Sequence, residues 1–197
     1  TLLKMEDDNF TDWFLPSRGE VAEMYTNLHA EGVGSFDNAA EYLTSSEKNA
    51  TYAHYVKMVD GGAVFSGKDQ VKAVRPARKF TSETIYSLRD TGPAGGLIFY
   101  IDNSGAEPIY YEAASADIAD AAFSNIIKAA IGTTGADIGD GTANTAAIIA
   151  QTGHTASGAK LCYDHGVYLD LIRPKEGKKI HKRHIAGIGC YYVTYSD

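Results

Sequence analysis

The spacing of apolar positions changes character along the chain. Val21, Met24, Tyr25 and Leu28 recur at the helical period, directly after Ser17 and Glu20, whose separation is that of a capping box. This predicts a helix from Arg18 to His29, stopped by Gly32 and Gly34 in left-handed conformations. From Tyr42 to Phe80 short β-like runs replace the helical period: 52–59, 63–65 and 71–75. Asp60-Gly61-Gly62 between the first two is a hairpin signal, so an antiparallel meander is expected there.

The second half opens on a turn cluster, Thr91-Gly92-Pro93-Ala94-Gly95-Gly96, followed by Leu97-Ile98-Phe99-Tyr100-Ile101, a buried strand by its unbroken apolar run. Asp102 to Gly105 bounds it, and Ile109 to Ala113 is the second arm of a hairpin. A helix capped by Asp117 is expected to run to Ile131 and close at Gly132. An ordered Gly/Thr-rich loop over 132–142 should follow, then a short helix capped by Asn144 or Thr145 and reaching Gln151. Near the end, Arg173 to Lys179 reads as a turn and Cys190 to Tyr195 as a strand. Strands, helix, strands, helix is the order of an α+β fold rather than of a doubly wound sheet.

Composition adds three constraints. At 197 residues the chain suits one domain with an appendage, and 20 Gly with 13 Tyr fit turn-rich β structure. No window is long and apolar enough for a membrane helix, and Thr1 to Asp8 lacks the layout of an export signal, so membrane insertion is not expected. The net charge of -7 is unevenly placed: residues 1–165 carry 12 Lys+Arg against 22 Asp+Glu, and residues 166–197 carry 6 against 3. An acidic body argues against nucleic-acid binding and leaves only the basic tail for a polyanion.

Two blocks carry a resemblance. One comprises Asp12-Trp13-Phe14-Leu15-Pro16-Ser17 with Glu20, Tyr42 to Glu47, and Val71 to Arg75 with Phe80; the other comprises Asp90 to Gly96, Leu97 to Tyr100, Glu112-Ala113-Ala114 and Gly141 to Thr145 with Ile148. Together they resemble the C-terminal domain family of the Legionella collagen-like adhesin, a C-type-lectin-like family of phage tail-fibre and bacterial surface proteins. In that family the second block comes first, so this chain looks circularly permuted over 1–165 (second-half block 1–80, first-half block 90–165). The alternative order is the back half of one domain joined to the front half of the next. Permutation requires Val71 to Phe80 to feed through a surface connection into Leu97 to Ile101 as paired strands. Leu43 stands where the family usually has Trp, and the tail 166–197, a basic extension with a strand, lies outside the resemblance.

The resemblance implies a non-enzymatic receptor- or glycan-binding module, displayed on a virion or cell surface as a homo-oligomer, a trimer by preference, and without a cofactor. A structural or decoration role in a virion is the rival. The same fold superfamily contains the formylglycine-generating enzymes, but Cys162 and Cys190 match no motif of theirs.

The residues themselves place display character in 42–68, where Tyr52, His54, Tyr55, Lys57 and Lys68 are the candidate ligand-binding side chains. Alternation sets Tyr52, His54 and Val56 on one face and Tyr55, Lys57 and Val59 on the other, and one face must be core. Lys178, Lys179, Lys182 and Arg183 form the densest basic run, a candidate contact to a polyanion or a neighbouring subunit. Trp13 is a core anchor before a helix cap, and Ser17 is fully explained by capping. Cys162, His165, His184 and Cys190 have no standard zinc spacing, and Asp137 to Gly141 lacks the ligand pattern of a calcium loop, so no metal site is assigned.

Overall fold

The computed structural model describes residues 10–172, 179–184 and 191–196, with side-chain surroundings for 10–165. Helix α1 spans Arg18–Met24 and runs on into a π-helical segment, Tyr25–His29. The expected capping box is present: the Ser17 hydroxyl accepts from the Glu20 amide, and the Glu20 carboxylate accepts from the Ser17 amide at 2.6 Å. Gly32 and Gly34 end the segment at φ 75° and 84°.

Five strands form one sheet: β1 Glu41–Glu47, β2 Tyr52–Lys57, β3 Ala63–Gly67, β4 Lys72–Val74 and, later in the chain, β8 Ala119–Ala121. Their order is β3-β2-β1-β4-β8. β1, β2 and β3 make the expected meander, and Asp60-Gly61-Gly62 turns its second hairpin, with the Gly61 amide donating to Lys57. β4 departs from the expectation, since it lies parallel to β1 on the far side. A second sheet holds β5 Ala77–Thr81, β6 Leu97–Asp102 and β7 Ile109–Ala113 in the order β5-β7-β6. β6 and β7 are the expected hairpin. The molecule is therefore an α+β fold of two mostly antiparallel sheets.

Three further expectations need correction. First, residues 82–96 are a largely exposed connection, but the strands they join do not pair with each other. β7 lies between β5 and β6, and the 71–75 run belongs to the other sheet. Second, no helix runs from Asp117 to Ile131. Ala119–Ala121 pairs with β4, and the following backbone is tied down by tertiary bonds from Phe123 to Lys68 and from Ile131 to Glu47. Helix propensity is a weak prior against such bonds. Third, helix α2 spans Gly141–Ile149 and begins before Asn144 and Thr145, which serve other partners; helix α3, Gly158–Ile172, is an element the sequence pattern does not predict.

Residues of both sequence blocks fill the same cores. Leu15, Leu43, Tyr55 and Val74 pack with Phe123, Ile148, Ala159 and Cys162, while Phe14 and Met24 pack with Phe99, Tyr111 and Ala113. Polar bonds stitch the blocks as well: the Leu15 amide donates to Thr145 Oγ1 at 2.9 Å and Asn144 Nδ2 donates to Ser45. Strand β9, Lys179–His184, pairs antiparallel with β10, Tyr191–Ser196, as a separate hairpin.

Candidate functional site

Three buried carboxylates close the glycine-rich loops from inside. Glu112, fully buried on β7, accepts from the amides of Ala94 and Gly96 and from Arg78, whose guanidinium also grips Asp12 at 2.9 and 3.0 Å. A Cβ on Gly92 or Gly96 would run into Glu112 or the Ala113 carbonyl, which explains small residues in this turn. Glu47 accepts from the amides of Ile131 and Gly132 and pairs with buried Lys68. Glu20 adds the Gly139 amide to its capping bond. Loop amides that could otherwise hold an anion are thus occupied by the protein's own carboxylates.

The predicted ligand-binding residues divide accordingly. Tyr55 is fully buried and its hydroxyl donates to the Gly67 carbonyl at 2.9 Å; Lys68 is fully buried, bonded to Glu47 and the Ala129 carbonyl, with its ammonium 5.4 Å from the Phe123 ring. Neither reaches the surface. A buried lysine is tolerable only when paired and hydrogen-bonded, and that pairing is its role here. Lys57 is committed to Asp60 in the adjoining turn at 2.8 Å.

Tyr52 and His54 do face outward. On β2, Ala53 and Tyr55 point into the main core, while Val56 on the opposite face packs with Val21 of α1 and Tyr42. Past the stretch that α1 covers, Tyr52 and His54 continue that outer face. Phe65, directly opposite His54 on β3, joins them. Tyr52 is 42% and Phe65 54% exposed, an unusual burden for two large rings. Their centroids are 5.8 Å apart in a T-shaped pair, and His54 meets Phe65 edge-on at 6.2 Å.

The Lys48 ammonium sits 5.6 Å from the Phe65 ring. The turn beneath is stiff, because Asn49 Oδ1 accepts from the amides of Thr51 and Tyr52. Burial first, then the charges of Arg18 and Lys48, hold the His54 imidazole below its usual range, so it is neutral at pH 7. The surface is therefore aromatic, ordered from below and edged by cations. Phe65 and Lys48 escaped sequence reasoning because the register opposite His54 was unknown; the Asp-Gly-Gly turn was the signal that could have fixed it.

Among the described residues no group of three or more His, Cys, Asp and Glu is placed to hold a metal ion. Cys162 is fully buried, and burial pushes its thiol well up, away from a nucleophilic thiolate. Cys190 and Lys178 lie outside the described residues, as do the side chains of Lys179, Lys182 and Arg183, whose backbone forms β9. Among the described residues no helix is long and apolar enough to cross a membrane. Comparison of the chain with family models, curated proteins and solved structures finds no match.

Proposed function

We propose that this chain is a non-enzymatic recognition module of C-type-lectin-like fold which binds a receptor or glycan on a cell surface. It would be displayed on a phage tail fibre or a bacterial surface. The observation that carries this reading is the exposed Tyr52–Phe65 pair with His54 and Lys48, held on a stiff hairpin while the loop amides are satisfied internally. Rigid aromatic rings give contact area at low entropy cost, and a cation beside them adds polar selectivity. The decisive experiment is a glycan and cell-surface binding screen with the intact protein, repeated with Tyr52→Ala and Phe65→Ala. Loss of binding in both variants, with unchanged melting, is the expected result; binding untouched by either would overturn the assignment of this face.

A second reading, assembly within a virion, draws on the basic run Lys178, Lys179, Lys182 and Arg183 in a chain whose first 165 residues are acidic. A neighbouring copy offers such a run an oppositely charged surface. In that case replacing all four by Ser weakens the oligomer and leaves glycan binding intact.

A further inference from the structure

A cavity of about 480 Å³ opens between the Thr91–Gly96 turn, the 114–118 segment and the side chain of His165 on α3, away from the residues assigned above to recognition. Its size falls within the range of small-molecule sites. Phe10, Trp13, Pro93 and Ile118 give it apolar walls, Ala94 and buried Ala114 add only small side chains, and Gly95 and Ala116 lie exposed at its rim. Trp13 is 5% exposed, and its buried indole N–H finds no acceptor among the described residues. A buried donor without a partner carries a desolvation cost that a bound oxygen would remove.

His165 packs edge-on against that indole with centroids 5.2 Å apart. Half-burial holds its imidazole below the usual range, so at neutral pH it offers one donor and one acceptor. The remaining charge at the rim is already spent: Asp117 takes Arg75 Nε at 2.6 Å on one oxygen and the Tyr42 hydroxyl at 2.7 Å on the other. Arg78 behind Phe10 is consumed by Asp12 and Glu112.

From this we infer that the cavity binds a small neutral ring compound bearing hydroxyl groups, of monosaccharide size. A hydroxyl accepts from the Trp13 N–H and also matches His165 in either tautomer, which a pure acceptor does not. The apolar face of the ring packs against Phe10 and Ile118, and the lack of an unpaired charge disfavours an acid or an amine. The indole N–H is buried in the unliganded protein, so on this proposal a ligand reaches it only when the packing around the indole, of which His165 is part, shifts. The site is independent of the Tyr52–Phe65 face, so either can fail without the other.

Trp13 is the sole tryptophan of the chain, which makes its emission a direct reporter. The full-length protein is titrated with neutral monosaccharides (glucose, galactose and N-acetylglucosamine), with glucuronate and glucosamine as charged controls. The expected result is a saturable emission change with at least one neutral sugar and a weaker response, by about tenfold, to its charged counterpart. Ala116→Phe, at an exposed rim position, should abolish the change without altering the melt. Trp13→Phe, read by calorimetry, should weaken binding by about tenfold, the worth of one hydrogen bond. No saturable change with any neutral sugar, or a change that survives Ala116→Phe, overturns the inference.

Discussion

The loops closed over Glu112, Glu47 and Glu20 and the outer face of β2 and β3 are built on opposite rules. Around the carboxylates the polar chain is turned inward. Each carboxylate meets at least one amide from a distant segment, 16 to 18 residues away for Glu112, 84 or 85 for Glu47 and 119 for Glu20. On the outer face the turn backbone is held by local bonds to Asn49, and the Tyr52 and Phe65 rings are left largely to solvent. The difference separates residues that specify the fold from residues free to specify a partner. The amides of the glycine-rich loops, which in many proteins carry ligand contacts, belong here to the first group.

The largest effect should come from breaking a carboxylate clamp. Glu112→Ala leaves Arg78 Nη1 and the Gly96 amide buried without their acceptor, and removing one partner of a buried pair costs about 3–5 kcal/mol. Denaturant unfolding should show it, and proteolysis should then cut within 90–96. Ser17→Ala is milder, about 1 kcal/mol, because it removes the bond to Glu20 and the one the hydroxyl donates to Asp137 at the edge of the same system. Tyr52→Ala, by contrast, should change stability by less than about 0.5 kcal/mol, as expected for an exposed side chain.

The response to pH sharpens the same contrast. Burial raises the Glu20 carboxyl above its usual value of 4.5, against the bonds from Ser17 and Gly139 that lower it. The folded state therefore holds this proton more tightly than the unfolded state. Its contribution is greatest at acid pH and is lost as pH rises from 4.5 through the folded value. His54, His154 and His165 are shifted the other way, each first by burial, so their contribution is present above 6.5 and is lost as pH falls from there. Stability measured across this range should lose its acid-side rise in Glu20→Gln. His54→Gln should reduce only the decline on the acid side of the histidine range.

How much of this was legible in the sequence depended on the range of the interaction. The α1 cap, the stop at Gly32 and Gly34, the Asp60 hairpin and the β6–β7 pair are set by residues within a few positions of one another, and each appeared where the pattern placed it. The segment 117–131 read as helix because its alanines and isoleucines carry no local trace of the bonds to β4, Lys68 and Glu47 that hold it otherwise. Tyr55 and Lys68 read as ligand contacts because a side chain's chemistry does not reveal its burial. The parity of β2 did separate Tyr52 and His54 from Tyr55, but only the position of α1 shows which parity is solvent.

The central claim is that the outer face of β2 and β3 carries cell-surface recognition, while the backbone amides of the clamped loops are committed to the fold. Its most direct test measures binding to a responsive cell or glycan surface for the intact protein, Tyr52→Ala/Phe65→Ala and Ser17→Ala, side by side at a temperature where all three are folded. Binding should be lost in the double variant and kept by Ser17→Ala. Full binding by the double variant, or its loss in folded Ser17→Ala, would contradict the account.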